Sequence, residues 1–226
     1  MELFKTINPY TQLGIAQVQG LSDIAAVLNN PFPVDVLNNT VYVFVATNYM
    51  GGTPGGVQEM LLKSIIPDVA NAYSYNTPLN FDEAQQGLIA NLFATLNQAG
   101  ADPDSVKLCL LNAETAVAKS GLNSGLQMPL LMAIAAAYAS VDYWKTEINN
   151  NSSSWYSYGY FDPNPAVNIA NISKWVSASA SGVLGGFSKV KTINGGLPDT
   201  DPASLFIGSL FGGIGLAAAK VLYKWG

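Results

Sequence analysis

The chain has 226 residues but no histidine, no arginine and only one cysteine. Without histidine it has no imidazole base for a Ser-His-Asp or Cys-His site and no imidazole ligand for a metal ion. One cysteine forms neither an internal disulfide nor a thiolate cage. The lack of arginine and the net charge of −5 argue against nucleic-acid binding, which requires a basic surface. We therefore expect no metal, no cofactor and no nucleic-acid partner.

Charged residues are scarce and unevenly placed. They make up 11% of the chain, against about a quarter in typical soluble domains. Residues 1–162 contain thirteen acids and five lysines, a net charge of −8, whereas residues 163–226 contain two acids and five lysines, a net charge of +3. This shift predicts a helical body at 1–150, an Asn/Ser/aromatic loop at 151–165, and a small-residue-rich helical hairpin at 166–226 packed on the body.

The first residues contain no secretory signal. Asn8-Pro9-Tyr10 follows Met1–Lys5 closely, without the apolar run that such a signal needs. We expect a protein that is cytoplasmic at synthesis or exported by another route, and the single cysteine fits a reducing compartment.

Hydrophobic periodicity predicts a mainly α multi-helix bundle. Asn80 with Glu83 resembles a capping box, and Pro103 and Pro129 suit first helical turns. The β-branched and aromatic segment Thr40–Thr47 fits either a short strand or a buried helix turn. The predicted helices cover residues 11–28, 57–73, 80–98, 102–119, 129–148, 165–176 and 203–225.

The C-terminal hairpin is rich in small residues at helical spacing. Ala203–Ala219 contains no charged residue and would span about 26 Å as a helix. Small residues four apart let two helix backbones touch, either in a buried hairpin or subunit interface, or in a membrane with the terminal Lys, Tyr and Trp at its surface. The candidate interaction residues are Gly182, Gly185, Gly186, Gly208, Gly212 and Gly215.

Five aromatic residues follow a polar Asn/Ser run within the loop. Exposed aromatic rings form binding surfaces for partners, sugars or neighbouring subunits. The alternative is a loop that folds back and covers the core with its rings. These candidate interaction residues are Trp155, Tyr156, Tyr158, Tyr160 and Phe161.

The remaining chemical groups give weak signals. Glu114, Asp142 and Glu147 lie among apolar helical neighbours, where paired carboxylates could act as acid and base. Solvated helix faces and caps explain them more simply. Lys119 and Ser120 are adjacent and point apart on a helix, and Cys109 reads as a core residue.

Short segments in order along the chain resemble a group of Bacteroidota proteins. They are Asn8-Pro9-Tyr10 with Gly14, Ser140–Trp144 at a helix end, and Lys174 before the Gly/Ala-rich tail. The group has no established activity and no established functional residues, so the resemblance assigns no site in this chain. The group's glycine-rich tails are similar to those of bacteriocin-type peptides.

The expected function follows from association rather than catalysis. Low charge and close-packing glycines favour a non-enzymatic structural or interaction protein that self-assembles, or docks on a protein partner, through its tail and aromatic loop. The alternative is a membrane-active, toxin-like or pore-forming protein that inserts the C-terminal hairpin. An enzyme that uses its carboxylates or lysines is the third hypothesis.

Overall fold

The computed structural model describes residues 8–51, 63, 81–193 and 201–224, which form a mainly α multi-helix bundle. No strand occurs within these ranges. The helices, in chain order, are α1 (Thr11–Val27), α2 (Val34–Tyr49), α3 (Glu83–Gln98), α4 (Pro103–Ala118), α5 (Ser124–Asn149), α6 (Ser154–Ser157), α7 (Pro165–Ile169), α8 (Ile172–Ile193) and α9 (Pro202–Leu222).

Local capping chemistry sets the limits of α4 as the sequence predicts. The Asp102 carboxylate accepts a hydrogen bond from the Ser105 backbone N–H at 3.0 Å, and Pro103 occupies the first turn. Gly121 follows the helix with a φ of +76°, a conformation that costs other residues steric strain. Gly100, at a φ of +69°, follows α3 in the same way.

The capping box of α3 lies two residues later than expected. Asp82, not Asn80, caps the helix: its carboxylate accepts from the Gln85 N–H at 2.8 Å, while Gln85 Oε1 accepts from the Asp82 N–H at 3.0 Å. Asn80 lies outside the described residues. Thr40–Thr47 is helical and lies within α2.

Two predicted helices have different limits. The helix expected to open at Pro129 begins at Ser124, because Asn123 Oδ1 accepts from the Leu126 N–H at 3.0 Å and caps it there. Pro129 therefore lies inside α5 and removes one internal hydrogen bond. The helix expected over 165–176 divides into α7 and α8, where the Asn171 carbonyl accepts from Lys174 and Trp175 and starts a new turn.

Several predicted segments lie outside the described residues. Residues 57–73 lie outside the described ranges except for Lys63, which is helical, and so do residues 194–200 and 225–226.

Helices α8 and α9 form a hairpin at the centre of the bundle, called the hairpin below. They make the most extensive helix contact in the described chain. Helices α1 and α2 pack against α9, and α5 and α3 pack against α8; these four are called the cover helices. Every residue of α9 from Gly208 to Ala219 is buried. The hydrophobic core is therefore built around the hairpin rather than beside it.

Candidate functional site

The two helices of the hairpin touch backbone to backbone at two levels. A Cβ added to Gly182 or to Gly212 would collide with the carbonyl group of the other residue. A turn further along, a Cβ on Gly186 would collide with the Gly208 carbonyl. Glycines four apart on each helix thus interlock, and the lost side-chain volume is replaced by direct helix contact.

Three further glycines of the hairpin lie outside these two backbone contacts, and sequence reasoning missed one of them. Gly185 and Gly215 are buried within the hairpin helices. Gly213 lies where α9 meets both α1 and α8: a Cβ there would lie 2.5 Å from Gln17 Oε1 of α1 and 2.8 Å from Val183 Cγ2 of α8. The glycine spacing marks 208, 212 and 215, but it does not mark Gly213.

Helix α1 packs on α5 and on the hairpin through two further glycines. A Cβ on Gly14 would lie 2.5 Å from the Ala135 carbonyl oxygen, which places α1 directly on α5. A Cβ on Gly20 would lie 3.0 Å from both Ile214 Cγ1 and Phe44 Cε1, at the junction of α1, α9 and α2. Sequence reasoning marked neither as a packing glycine, although glycine is costly inside a predicted helix.

The aromatic loop folds back onto the bundle. Trp155 and Phe161 are fully or almost fully buried, and Phe161 stacks on Trp175 of α8 with ring centres 5.2 Å apart. Trp144 of α5 contacts Trp155 at 5.3 Å and Trp175 at 5.2 Å. The loop therefore joins the start of the hairpin to α5.

Hydrogen bonds fix the loop against the α1–α2 connection. The Tyr160 hydroxyl donates to the Asn29 carbonyl at 2.6 Å, and Asn30 Nδ2 donates to the Tyr158 carbonyl at 3.0 Å. The Tyr156 hydroxyl donates to the Ile148 carbonyl at 3.0 Å. Of the five candidate rings, Trp155 and Phe161 are buried, Tyr156 and Tyr160 are half-buried, and Tyr158 is 41% exposed.

The three candidate carboxylates have separate surroundings. Asp142 is 62% exposed in its side chain and pairs with Lys107 Nζ at 2.6 Å. Glu147 accepts a short hydrogen bond from the Ser153 hydroxyl, and Glu114 is buried in α4. Within the described ranges, no group of three or more His, Cys, Asp and Glu side chains is arranged to hold a metal ion.

The remaining candidates show no catalytic arrangement. The Ser120 hydroxyl donates to the Val117 carbonyl at 2.7 Å, and Lys119 forms the C-terminal cap of α4. Cys109 is half-buried rather than a full core residue, because its position on α4 lies at the edge of the face that packs on the bundle.

Two described helices are long and apolar enough to cross a membrane. Helix α9 has a mean hydropathy of 1.8 over its best window, of which 83% is buried in the protein. Helix α5 has a mean hydropathy of 1.4, with 61% of its window buried. Core helices of soluble proteins meet the same criterion, so length and composition alone do not decide between the two environments.

No protein-family model, curated protein or solved structure matches this chain.

Proposed function

We propose that this protein acts on membranes, storing the α8–α9 hairpin inside its helical bundle and inserting it into a lipid bilayer. One observation carries the proposal: the most apolar helix, α9, is enclosed by the rest of the chain rather than lying at its surface. A water-soluble chain can carry a membrane segment only if other helices cover it. Helices α1 and α2 cover α9 directly, while α3 and α5 cover α8, its partner in the hairpin.

The dimensions of α9 support insertion. Its 21 residues correspond to about 32 Å of helix, and a bilayer core is about 30 Å thick. Asp201 precedes the helix, and the first charge after it is Lys220 in its last turn. Charges at the two ends and none between them would place both ends at lipid headgroups.

The glycine contacts would persist in lipid. Backbone contact at Gly182–Gly212 and Gly186–Gly208 is van der Waals packing, and it does not depend on exclusion of water. The hairpin could therefore move as a unit while its own interface stays intact.

Serines on α8 favour an assembly of inserted hairpins. Ser177 and Ser181 lie one turn apart, and their buried hydroxyls have no hydrogen-bond partner in the described chain. In lipid such hydroxyls would seek polar groups on neighbouring helices or a water-filled path. The homo-oligomer expected from the sequence then belongs to the inserted state, because in the stored state the glycines contact one another.

Dye release from vesicles tests the proposal. Wild-type protein should release carboxyfluorescein from vesicles of phosphatidylcholine and phosphatidylglycerol. A disulfide lock then separates insertion from surface damage. Ile214 Cγ1 lies 3.0 Å from the Cβ position on Gly20, so a Gly20→Cys/Ile214→Cys pair, in a Cys109→Ser background, can link α1 to α9.

A matched disulfide supplies the control. Val190 Cβ lies 3.4 Å from the Cβ position on Gly208, so a Gly208→Cys/Val190→Cys pair in the same background links only α8 to α9. The α1–α9 lock should block release when oxidised and restore it when reduced, whereas oxidation of the α8–α9 link should leave the release rate equal to that of its own reduced form. Absence of release by the wild type, or equal release by the oxidised and reduced lock, would refute the proposal.

A further inference from the structure

Buried polar atoms without partners are concentrated around the hairpin. Within the described chain, six residues have such side-chain atoms. Ser177, Ser181 and Ser209 belong to the hairpin, and Gln17 contacts it at Gly213. The other two are Asn38 on α2 and Trp144 on α5. Each such atom loses its hydration on folding without gaining a hydrogen bond, so each opposes burial of the surface that carries it.

Gln17 is the most unfavourable of these groups. Its side chain is 0% exposed, and neither Oε1 nor Nε2 has a partner among the described residues. The amide rests on the backbone of Gly213, where any side chain would strike it. It lies between Gly14 and Gly20, the two glycines by which α1 touches α5 and α9.

We infer that Gln17 regulates release of the hairpin by weakening the contact between α1 and α9. Close glycine packing holds α1 in place, while the buried amide favours any opening that returns it to water. When α1 moves away from Gly213, Gln17 regains its hydrogen bonds and the covered face of α9 becomes free. Because the amide is uncharged, this contribution does not vary with pH. The inference rests on the proposed function, since it names the control of the same insertion.

Two buried glutamines give a matched test. Gln17→Met keeps the length and shape of the side chain and removes the unpartnered amide. Gln85→Met makes the same change where the amide is satisfied, because Gln85 Nε2 donates to the Leu126 carbonyl at 2.7 Å and Oε1 accepts from the Asp82 N–H. Thermal unfolding in buffer and the rate of dye release from the same vesicles are measured for the wild type and both variants.

The expected results have opposite signs. Gln17→Met should raise the melting temperature by about 2–8 °C, as removal of a buried unsatisfied amide implies for a chain of this size. It should slow dye release at least about fivefold. Gln85→Met should lower the melting temperature and release dye at least as fast as the wild type.

Results that differ from these expectations exclude different parts of the inference. A Gln17→Met protein that melts at or below the wild-type temperature would overturn the inference, because the amide would then be satisfied in solution. A raised melting temperature with unchanged release would overturn the regulatory role. If the wild type releases no dye, the proposed function fails, while the melting temperatures still decide whether Gln17 weakens the fold.

Discussion

At the residue scale, the same residue type has opposite roles at different positions. Gly182 is required by a backbone contact, because a Cβ there would meet the Gly212 carbonyl. Gly87 lies in the exposed part of α3 with nothing within 4 Å of a Cβ position. Glycine at position 87 therefore lowers helix stability without any packing gain.

Gly182→Ala should therefore destabilise the protein by about 2–3 kcal/mol, since the two helices must separate to admit the methyl group. Gly87→Ala should instead stabilise it by about 0.5–1 kcal/mol through helix propensity. Urea unfolding curves measure both changes. Equal effects of the two substitutions would contradict the backbone contact between α8 and α9.

Tyr143 gives a prediction for alkaline pH. Burial raises the pKa of Tyr143 above its ordinary value of 10.0, the hydrogen bond from Trp155 lowers the pKa in part, and the nearby Glu147 carboxylate raises it. An unfolded tyrosine ionises near pH 10, whereas the folded one stays neutral. The stability that neutral Tyr143 contributes is thus present below pH 10 and is lost as pH rises towards its folded pKa.

Tyr143→Phe should lower stability at pH 8, because the hydroxyl donates to the Leu21 carbonyl at 3.1 Å and accepts from Trp155 Nε1 at 3.0 Å. Between pH 9 and pH 11, the free energy of unfolding of the Tyr143→Phe variant should fall less steeply with pH than that of the wild type. The difference has an upper limit of about 1.4 kcal/mol per pH unit for one group. Urea midpoints across this range measure it, and parallel pH profiles would refute the assignment.

At the element scale, helix ends depend on short capping contacts. Asp82→Ala should cost about 1 kcal/mol, because α3 loses the acceptor for its Gln85 N–H. Asp82→Asn retains an oxygen at the same place and should restore most of the stability. Melting temperatures should fall by about 2–4 °C for the alanine variant. A fall of equal size for asparagine would show that charge, and not the cap, is responsible.

The sequence predicts most helices but not their limits. The limits of α4 follow from Asp102 and Gly121, whose preferences are local. The start of α5 could not be found in the same way, because Pro129 suits a first turn but Asn123 forms the actual cap. Thr40–Thr47 has strand-forming residues, yet Val41, Phe44 and Val45 are buried on the helical face that packs on the bundle. Tertiary packing overrides propensity there.

The candidate site was predictable in content but not in arrangement. Spacing marks the glycines of both hairpin helices, but it cannot tell that Gly182 meets Gly212 while Gly186 meets Gly208. Aromatic content fits a binding loop and a covering loop equally well. The contact between Tyr160 and Asn29, far apart in sequence, decides in favour of covering. Nothing in an amphipathic pattern marks Gln17 as a buried amide.

At the scale of the whole molecule, the composition acquires a physical meaning. The acidic N-terminal part forms the cover around a hairpin that belongs to the basic, small-residue C-terminal part. The most apolar helix, α9, lies inside this arrangement, and in the proposed inserted state the same helix would lie in the bilayer. We propose that α9 exchanges its contacts with α1 and α2 for contacts with lipid.

Hydrogen exchange of the wild-type protein, followed by mass spectrometry with and without phosphatidylcholine–phosphatidylglycerol vesicles, tests this claim most directly. We predict that amides of α1 and α2 exchange faster with vesicles, because these helices leave α9, while amides of α9 stay protected in both conditions. Unchanged exchange in α1 and α2 would contradict the account. Loss of protection in α9 together with α1 and α2 would also contradict the account, because that result indicates unfolding rather than insertion.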